Sequence, residues 1–313
     1  MPLGDWHQHL FSPAAAKLAP GLHPVAARDL VNLLDAAGIR YALVLSVAYQ
    51  LANPNKPALA NEYEHVKAEN DWTSEQVSEF PERLRAFCGV NPLKEYAIEE
   101  IHRCAGDRQL HFGLKLHFGN SDVDLDDPQQ VEQIRRVFRS ANEERMAIVV
   151  HLHPSVTKKR PYGKREARIF LERVLPAAPD VPVQIAHLAG SGGYDDRTVD
   201  RALSVFVKAI KRGDGRMAHV YFDASGVCGY GDWKERAAQI AMRIRQLGVK
   251  RVLYGSDADP KMPPREAWAE FRKLPLSEAE FHEIARNIPP YMNKSRGNGG
   301  SLVSRDSARS RWP

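Results

Sequence analysis

The feature that most constrains this chain is its rhythm. Short runs rich in β-branched and other apolar residues alternate with longer amphipathic stretches about eight times. The candidate strands are 3–9, 41–47, 85–91, 112–118, 147–153, 182–188, 220–225 and 251–256. Helical patterns lie between them. Residues 25–37 set Leu30, Leu33, Leu34 and Ala37 on one face, 95–104 repeat Ala97, Ile98 and Ile101, and 131–140 repeat Val131, Ile134, Val137 and Phe138. Stretches 168–175, 199–210 and 236–247 read the same way, and Pro24 and Gly38 bracket the first helix as start and stop signals. Strict alternation implies parallel strands joined by right-handed crossovers. Eight such units in 313 residues suit an α/β chain folded as one (β/α)8 TIM barrel over 1–294. An open doubly wound sheet should carry a Gly-rich nucleotide turn after its first strand, and this first strand ends in histidines instead.

Two connections are long. Residues 49–82 contain Asn53, Pro54, Asn55 and Pro57, and 190–218 open with Gly190-Ser191-Gly192-Gly193. Both should sit at the barrel mouth or lead into its helices, where loops shape substrate access. The tail 295–313 is rich in Gly, Ser and Arg, poor in apolar residues, and reads as disordered.

Composition removes several function classes. No apolar run approaches the ~18 residues of a membrane span. A net charge of +5 hints at acidic partners, yet the basic residues are spread out, with only short clusters at Lys158-Lys159-Arg160 and Lys164-Arg165. These read as solvated faces, and no nucleic-acid-binding signature accompanies them. The three cysteines, Cys88, Cys104 and Cys228, form no CxxC pair and no disulfide framework, which suits a reducing compartment. Chemistry-bearing residues begin at Asp5, too early for a secretory signal, so the expected location is cytoplasmic.

Alternate strand residues share a face. Asp5-Trp6-His7-Gln8-His9 therefore sets His7 and His9 on one side with Asp5 behind them, and two such imidazoles can grip one cation. A solvated or core histidine pair has the same spacing, and repetition decides between them. His151 and His153 close the fifth candidate strand, His187 the sixth and Asp257 the eighth. Polar residues at the ends of apolar strands are costly to bury unpaired. Barrel enzymes assemble their sites at that rim.

As a set, these motifs resemble the amidohydrolase superfamily, in its amidohydrolase-related (amidohydrolase 2) branch, from Asp5 to about Met292. DWHQH matches a first-strand DxHxH, VVHLHP a fifth-strand histidine, IAHLAG an AHLGG-like sixth strand and LYGSDADP a GSDxP-like eighth strand. Gly113-Leu114-Lys115-Leu116-His117 resembles a fourth-strand GxKxH, and Asn287 holds the usual place in the closing helix. The resemblance implies metal ligation by His7, His9, His151 and Asp257, with His187 as general acid/base or second-metal ligand. His153 is the alternative fifth-strand ligand or a substrate-binding group. Lys115 has three readings: a paired interior charge, an anchor for a substrate carboxylate, or a carboxylated bridge between two metals. The anchor ranks above the bridge, because this branch more often looks mononuclear. Asp223 and Ser225 end the seventh strand as rim support or substrate contacts. Arg83 and Asn91-Pro92 read as structural. Trp6, Trp72 and Trp233 could line the mouth, with core packing the default.

The implied chemistry is metal-assisted hydrolysis of an amide, lactone or ester in a small, carboxylate-bearing molecule. Zinc is the default cofactor, one per chain or two with a carboxylated Lys115; manganese, iron and cobalt also fit. A bound cation lowers the pKa of its water toward ~7, and Asp257 can take the proton. Two rivals stay open, a metal-dependent decarboxylase of an aromatic or unsaturated acid and a metal-free lactonase; the intact ligand set argues against a third, a non-catalytic binding barrel, because a decayed enzyme should have lost at least one ligand. The expected partners are a small-molecule substrate and, since relatives often pair, a second copy in a homodimer.

Overall fold

The computed structural model describes residues 1–18, 22–154, 160–194, 197–229, 231–259 and 262–293, so the expected tail lies outside the described residues. Among them, eight parallel strands hydrogen-bond in sequence order. They are β1 (Gly4–Gln8), β2 (Tyr41–Leu45), β3 (Leu84–Gly89), β4 (Gly113–His117), β5 (Ala147–His151), β6 (Val183–Ile185), β7 (Val220–Asp223) and β8 (Val252–Leu253). The ring closes between β8 and β1: Trp6 N–H donates to Tyr254 O at 2.9 Å, and Asp257 N–H to His7 O at 3.0 Å. Helices fill the crossovers, so the fold is a TIM barrel as the alternation predicts.

Strand alternation sorts the side chains into two layers. Ala42 and Val44 of β2, Leu114 and Leu116 of β4, and Ile148 and Val150 of β5 join the large apolar layer under the helices. Tyr41, Leu43 and Leu45, with Ala147 and Val149, face a separate interior cluster that includes Trp6, Phe87, Phe112, Leu253 and Tyr291. Each fully buried large apolar side chain there contributes ~1.5–3 kcal/mol. This plug fills the amino-terminal end of the barrel, leaving the carboxyl-terminal rim for a site. Trp6 and Trp233 are core residues, and Trp72 packs partly buried against the outer layer. Asn287 ties the closing segment to the eighth strand, donating to Val249 O at 2.8 Å and Val252 O at 2.7 Å. Arg83 is structural as expected, bonding Arg40 O at 2.7 Å and Asp35 at 2.6 Å.

Three expectations change. The connection 49–82 holds a long helix, Glu62–Ser78, which sequence periodicity does not reveal because its buried face is largely polar: Glu69, Asn70, Thr73 and Ser74 beside Val66 and Val77. β1 is irregular. Its register against β2 shifts between Asp5 and Gln8, and both Trp6 and His7 reach the barrel interior. A bulge permits two consecutive inward residues. The Asp5 carboxylate accepts from Gln8 Nε2 at 2.7 Å, from Ser256 Oγ at 2.6 Å and from the backbone N–H of His7 at 3.4 Å, so it supports the backbone of β1. The cysteines are not all free thiols. Cys88, on the outer face of β3, is disulfide-bonded to Cys104 on the helix Ala97–Ala105, while Cys228 stays free and buried. The helix returns over its own strand and brings the two residues together despite 16 positions of separation.

Candidate metal centre

The carboxyl-terminal rim gathers the polar residues the sequence singles out. His7, in β1, lies with its ring centroid 4.8 Å from that of His187 and 5.3 Å from that of His9. One ligating atom each of His7, His187 and Asp257 falls within 4.8 Å of the others. His9 Nε2 is 3.6 Å from Asp257 Oδ1. His151, closing β5, has its ring centroid 4.9 Å from that of His187, and Lys115 Nζ in β4 lies 3.2 Å from His7 Nε2. His153 follows the end of β5, and its ring packs on Tyr162 at 4.2 Å. His7, Lys115, His151 and His187 are all buried, whereas the Asp257 side chain is 31% exposed and marks the border with the mouth.

The backbone places two of these groups in a rare conformation. β6 stops at Ile185, and His187, Leu188 and Ala189 follow with φ of 54°, 48° and 63°. Asp257 has φ 50°. Left-handed backbone at non-glycine residues is uncommon and gathers at functional sites.

The hydrogen bonds fix which ring nitrogen carries the proton. His7 Nδ1 lies 3.0 Å from Asp223 Oδ2, His9 Nδ1 2.6 Å from Leu45 O, and His187 Nδ1 2.9 Å from Ser225 O. Each acceptor calls for an Nδ1–H donor, so each ring presents an Nε2 lone pair. His151 Nε2 is buried without a hydrogen-bond partner among the described residues. Such an orphaned nitrogen is costly unless something occupies it. Imidazole lone pairs with a carboxylate form the donor set of a zinc-type cation, and anchoring of the second ring nitrogen is how metal-binding histidines are oriented. The residues present therefore fit a divalent metal.

Electrostatics support neutral rings. Burial, with further crowding by Lys115 and neighbouring histidines, holds His9 down to about 3, His187 to about 4, and His151 well below the usual histidine range. Burial pushes the Asp257 carboxyl up, but His7, His9, His187 and Lys115 outweigh it, and the group is held below its ordinary value as a carboxylate. Burial likewise lowers Lys115 to about 8, against the pull of Asp223 and Asp257, so it stays mostly cationic at neutral pH.

Two supporting groups matter more than the sequence alone suggests. Asp223 accepts from His7 Nδ1, from Gln184 Nε2 at 2.6 Å, and from the backbone N–H of His187 at 3.0 Å. It is the hub that orients two of the histidines, which decides for rim support between its two sequence readings. His117, ending β4, stacks on His151 with centroids 3.8 Å apart. Its Nδ1 accepts from Asn120 N–H at 3.1 Å, so its proton sits on Nε2, the reverse of His7, His9 and His187. Its place in the GxKxH segment was the available signal. Among the described residues, no helix is long and apolar enough to cross a membrane.

The family model described as amidohydrolase matches residues 5–287. A search of curated proteins finds no match. Among solved structures, 5-carboxyvanillate decarboxylase from Sphingomonas paucimobilis superposes with a TM-score of 0.62 at 15% identity, covering 91% of this chain and 96% of that one. For 2,6-dihydroxybenzoate decarboxylase from Rhizobium the TM-score is 0.62 at 18% identity, over 91% and 96%. An amidohydrolase from Burkholderia multivorans with bound zinc gives 0.57 at 15% identity, over 91% and 96%. At such identities these likenesses speak for the fold alone. The family match spans most of the sequence and every strand of the barrel, and the chain belongs to the amidohydrolase family.

Proposed function

We propose that this chain is a metal-dependent hydrolase cleaving a C–N or C–O bond of a small, carboxylate-bearing amide, lactone or ester. The observation that supports this best is the shared tautomer of His7, His9 and His187, with the unpartnered Nε2 of His151 beside them. In this reading His7, His9, His151 and Asp257 hold one divalent cation, zinc by default. Bound there, the cation supplies a Lewis acid and an activated water. Asp257, an ionised carboxylate at the edge of the mouth, takes a proton from the attacking water. His187, unprotonated at Nε2 at rest, accepts that proton and delivers it to the leaving atom. Lys115 anchors the substrate carboxylate, with His153 as a further substrate-side group.

A second reading, non-oxidative decarboxylation, draws support from Lys115, a buried cation 3.2 Å from His7 and suited to a carboxylate, and from the two decarboxylases of similar fold. One panel separates the readings. Zinc-loaded protein is offered lactones, esters, amides and aromatic acids, with acid release followed by pH-stat and carbon dioxide by mass spectrometry. Acid release lost on chelation supports the hydrolase. Carbon dioxide release moves the assignment to a lyase, and activity that survives complete metal removal moves it to a metal-free lactonase. Elemental analysis gives about one metal per chain for the anchoring Lys115 and near two for a carboxylated bridge.

A further inference from the structure

Beside the metal centre, a cavity of about 500 Å³ opens between the first strand's outgoing loop, the helix Ala27–Ala37 and the segment after β8. His9 and Asp257 form part of its lining, so it is continuous with the cluster described above. Most of the rest is apolar: Phe11, Leu22, Val25, Leu30 and Leu33. Its size and character suit a small-molecule site, in which apolar walls carry binding and a few polar groups set orientation. Leu33 is the telling residue. Leu30 and Leu34 of the same helix are fully buried against the barrel, but Leu33 is 40% exposed, one of three large apolar side chains so exposed among the described residues. Helix packing does not use it; the cavity does.

We infer that this cavity seats an apolar arm of the substrate, so that the molecule processed carries an alkyl or aryl group beside its reacting bond. The inference rests on the proposed function for which end of the cavity is reactive: the polar group turns to His9 and Asp257 and the apolar arm runs toward Leu33. Phe11 lies at the junction, its ring centroid 6.2 Å from that of His9.

The test uses n-alkanoates from acetate to octanoate as probes, with dissociation constants measured by calorimetry on zinc-loaded and metal-stripped protein. Each added methylene buried in an apolar wall tightens binding about 4-fold, and the expected slope approaches this until the cavity is filled. Leu33→Gln keeps the size of the side chain at an exposed helix position and leaves the fold intact. It is expected to weaken octanoate roughly 5-fold while leaving acetate unchanged. A flat chain-length series, or a slope that Leu33→Gln does not alter, overturns the inference. The slope reports on the cavity, and the difference between zinc-loaded and stripped protein reports on the metal centre, so failure of one reading is distinguishable from failure of the other.

Discussion

Replacing Asp223 by Asn keeps the size of the side chain and removes only its ability to accept on both oxygens. That ability is fully used. Oδ2 accepts from His7 Nδ1 at 3.0 Å and Gln184 Nε2 at 2.6 Å; Oδ1 accepts from His187 N–H at 3.0 Å, Ser225 N–H at 3.2 Å and Ser225 Oγ at 2.5 Å. An amide must set its NH₂ against donors on one side. On the Oδ1 side these include two backbone N–H groups, which cannot turn round. On the Oδ2 side His7 can move its proton from Nδ1 to Nε2, whereas Gln184 is held, its Nε2 also donating to Trp6 O at 3.1 Å and its Oε1 accepting from Tyr291. Relaxation therefore runs through His7, and it removes the lone pair that ring would offer a cation. Loss of an orienting partner of this kind costs ~10–100-fold in metal affinity, or ~1.4–2.8 kcal/mol. Residual donor conflict in the buried hub costs a further ~1–3 kcal/mol of folding stability. Zinc affinity is read by competition with a chromophoric chelator, stability by urea unfolding, and the His7 tautomer by nitrogen NMR of the imidazoles. If Asp223→Asn binds zinc within about twofold of the parent protein, well short of that range, Asp223 does not set the tautomer and the reasoning fails.

Three further outcomes are expected. Asp257→Asn removes the proton acceptor and should lower turnover on any substrate found by at least ~100-fold; turnover left intact would take that role from Asp257. A methyl group on Gly255 would lie 2.7 Å from His7 Cβ, 3.1 Å from Ser225 Cβ and 3.2 Å from His7 N. Gly255→Ala should therefore push β1 from β8, lowering urea stability by ~1–3 kcal/mol and weakening zinc binding with it; an unchanged midpoint would mean the strands need no such close approach. Glu280 is bonded by Arg245 at 2.6 Å and caps the closing helix through Ser277 N–H at 2.7 Å, which together hold its carboxyl down to about 2. A depressed carboxylate stabilises the fold above its unfolded value, and that contribution is lost as pH falls through the folded value. Glu280→Gln should thus cost ~0.5–1 kcal/mol at neutral pH, the pair being mostly solvent-screened, and the difference should shrink between pH 4.5 and 2. A pH-independent difference would assign the loss to something other than the charge.

Much of the fold is legible because each strand of a TIM barrel repeats one pattern and buries both faces. The short runs at 41–47 and 147–153 could be placed within a few residues, and the histidines and Asp257 at strand ends pointed to one rim. What stayed hidden has physical causes. The helix Glu62–Ser78 buries Glu69 and Asn70 through specific hydrogen bonds, so it carries no apolar stripe. The bulge in β1 depends on how Trp6 fits the barrel floor, which is a property of the packed interior. β6 is shorter than its apolar run because His187 leaves extended geometry just beyond it. The tautomers of His7, His9 and His187, and with them the difference from His117, depend on partners such as Leu45 O and Ser225 O that are remote in sequence.

The central claim is that the Nε2 lone pairs of His7, His9 and His151 and the carboxylate of Asp257 converge on one cation. Anomalous diffraction at the zinc edge from zinc-soaked crystals tests it directly. The account predicts a single strong peak ~2.0–2.2 Å from those nitrogens and from an Asp257 oxygen. A peak bound elsewhere, or a rim that stays without zinc at saturating concentration, would contradict it.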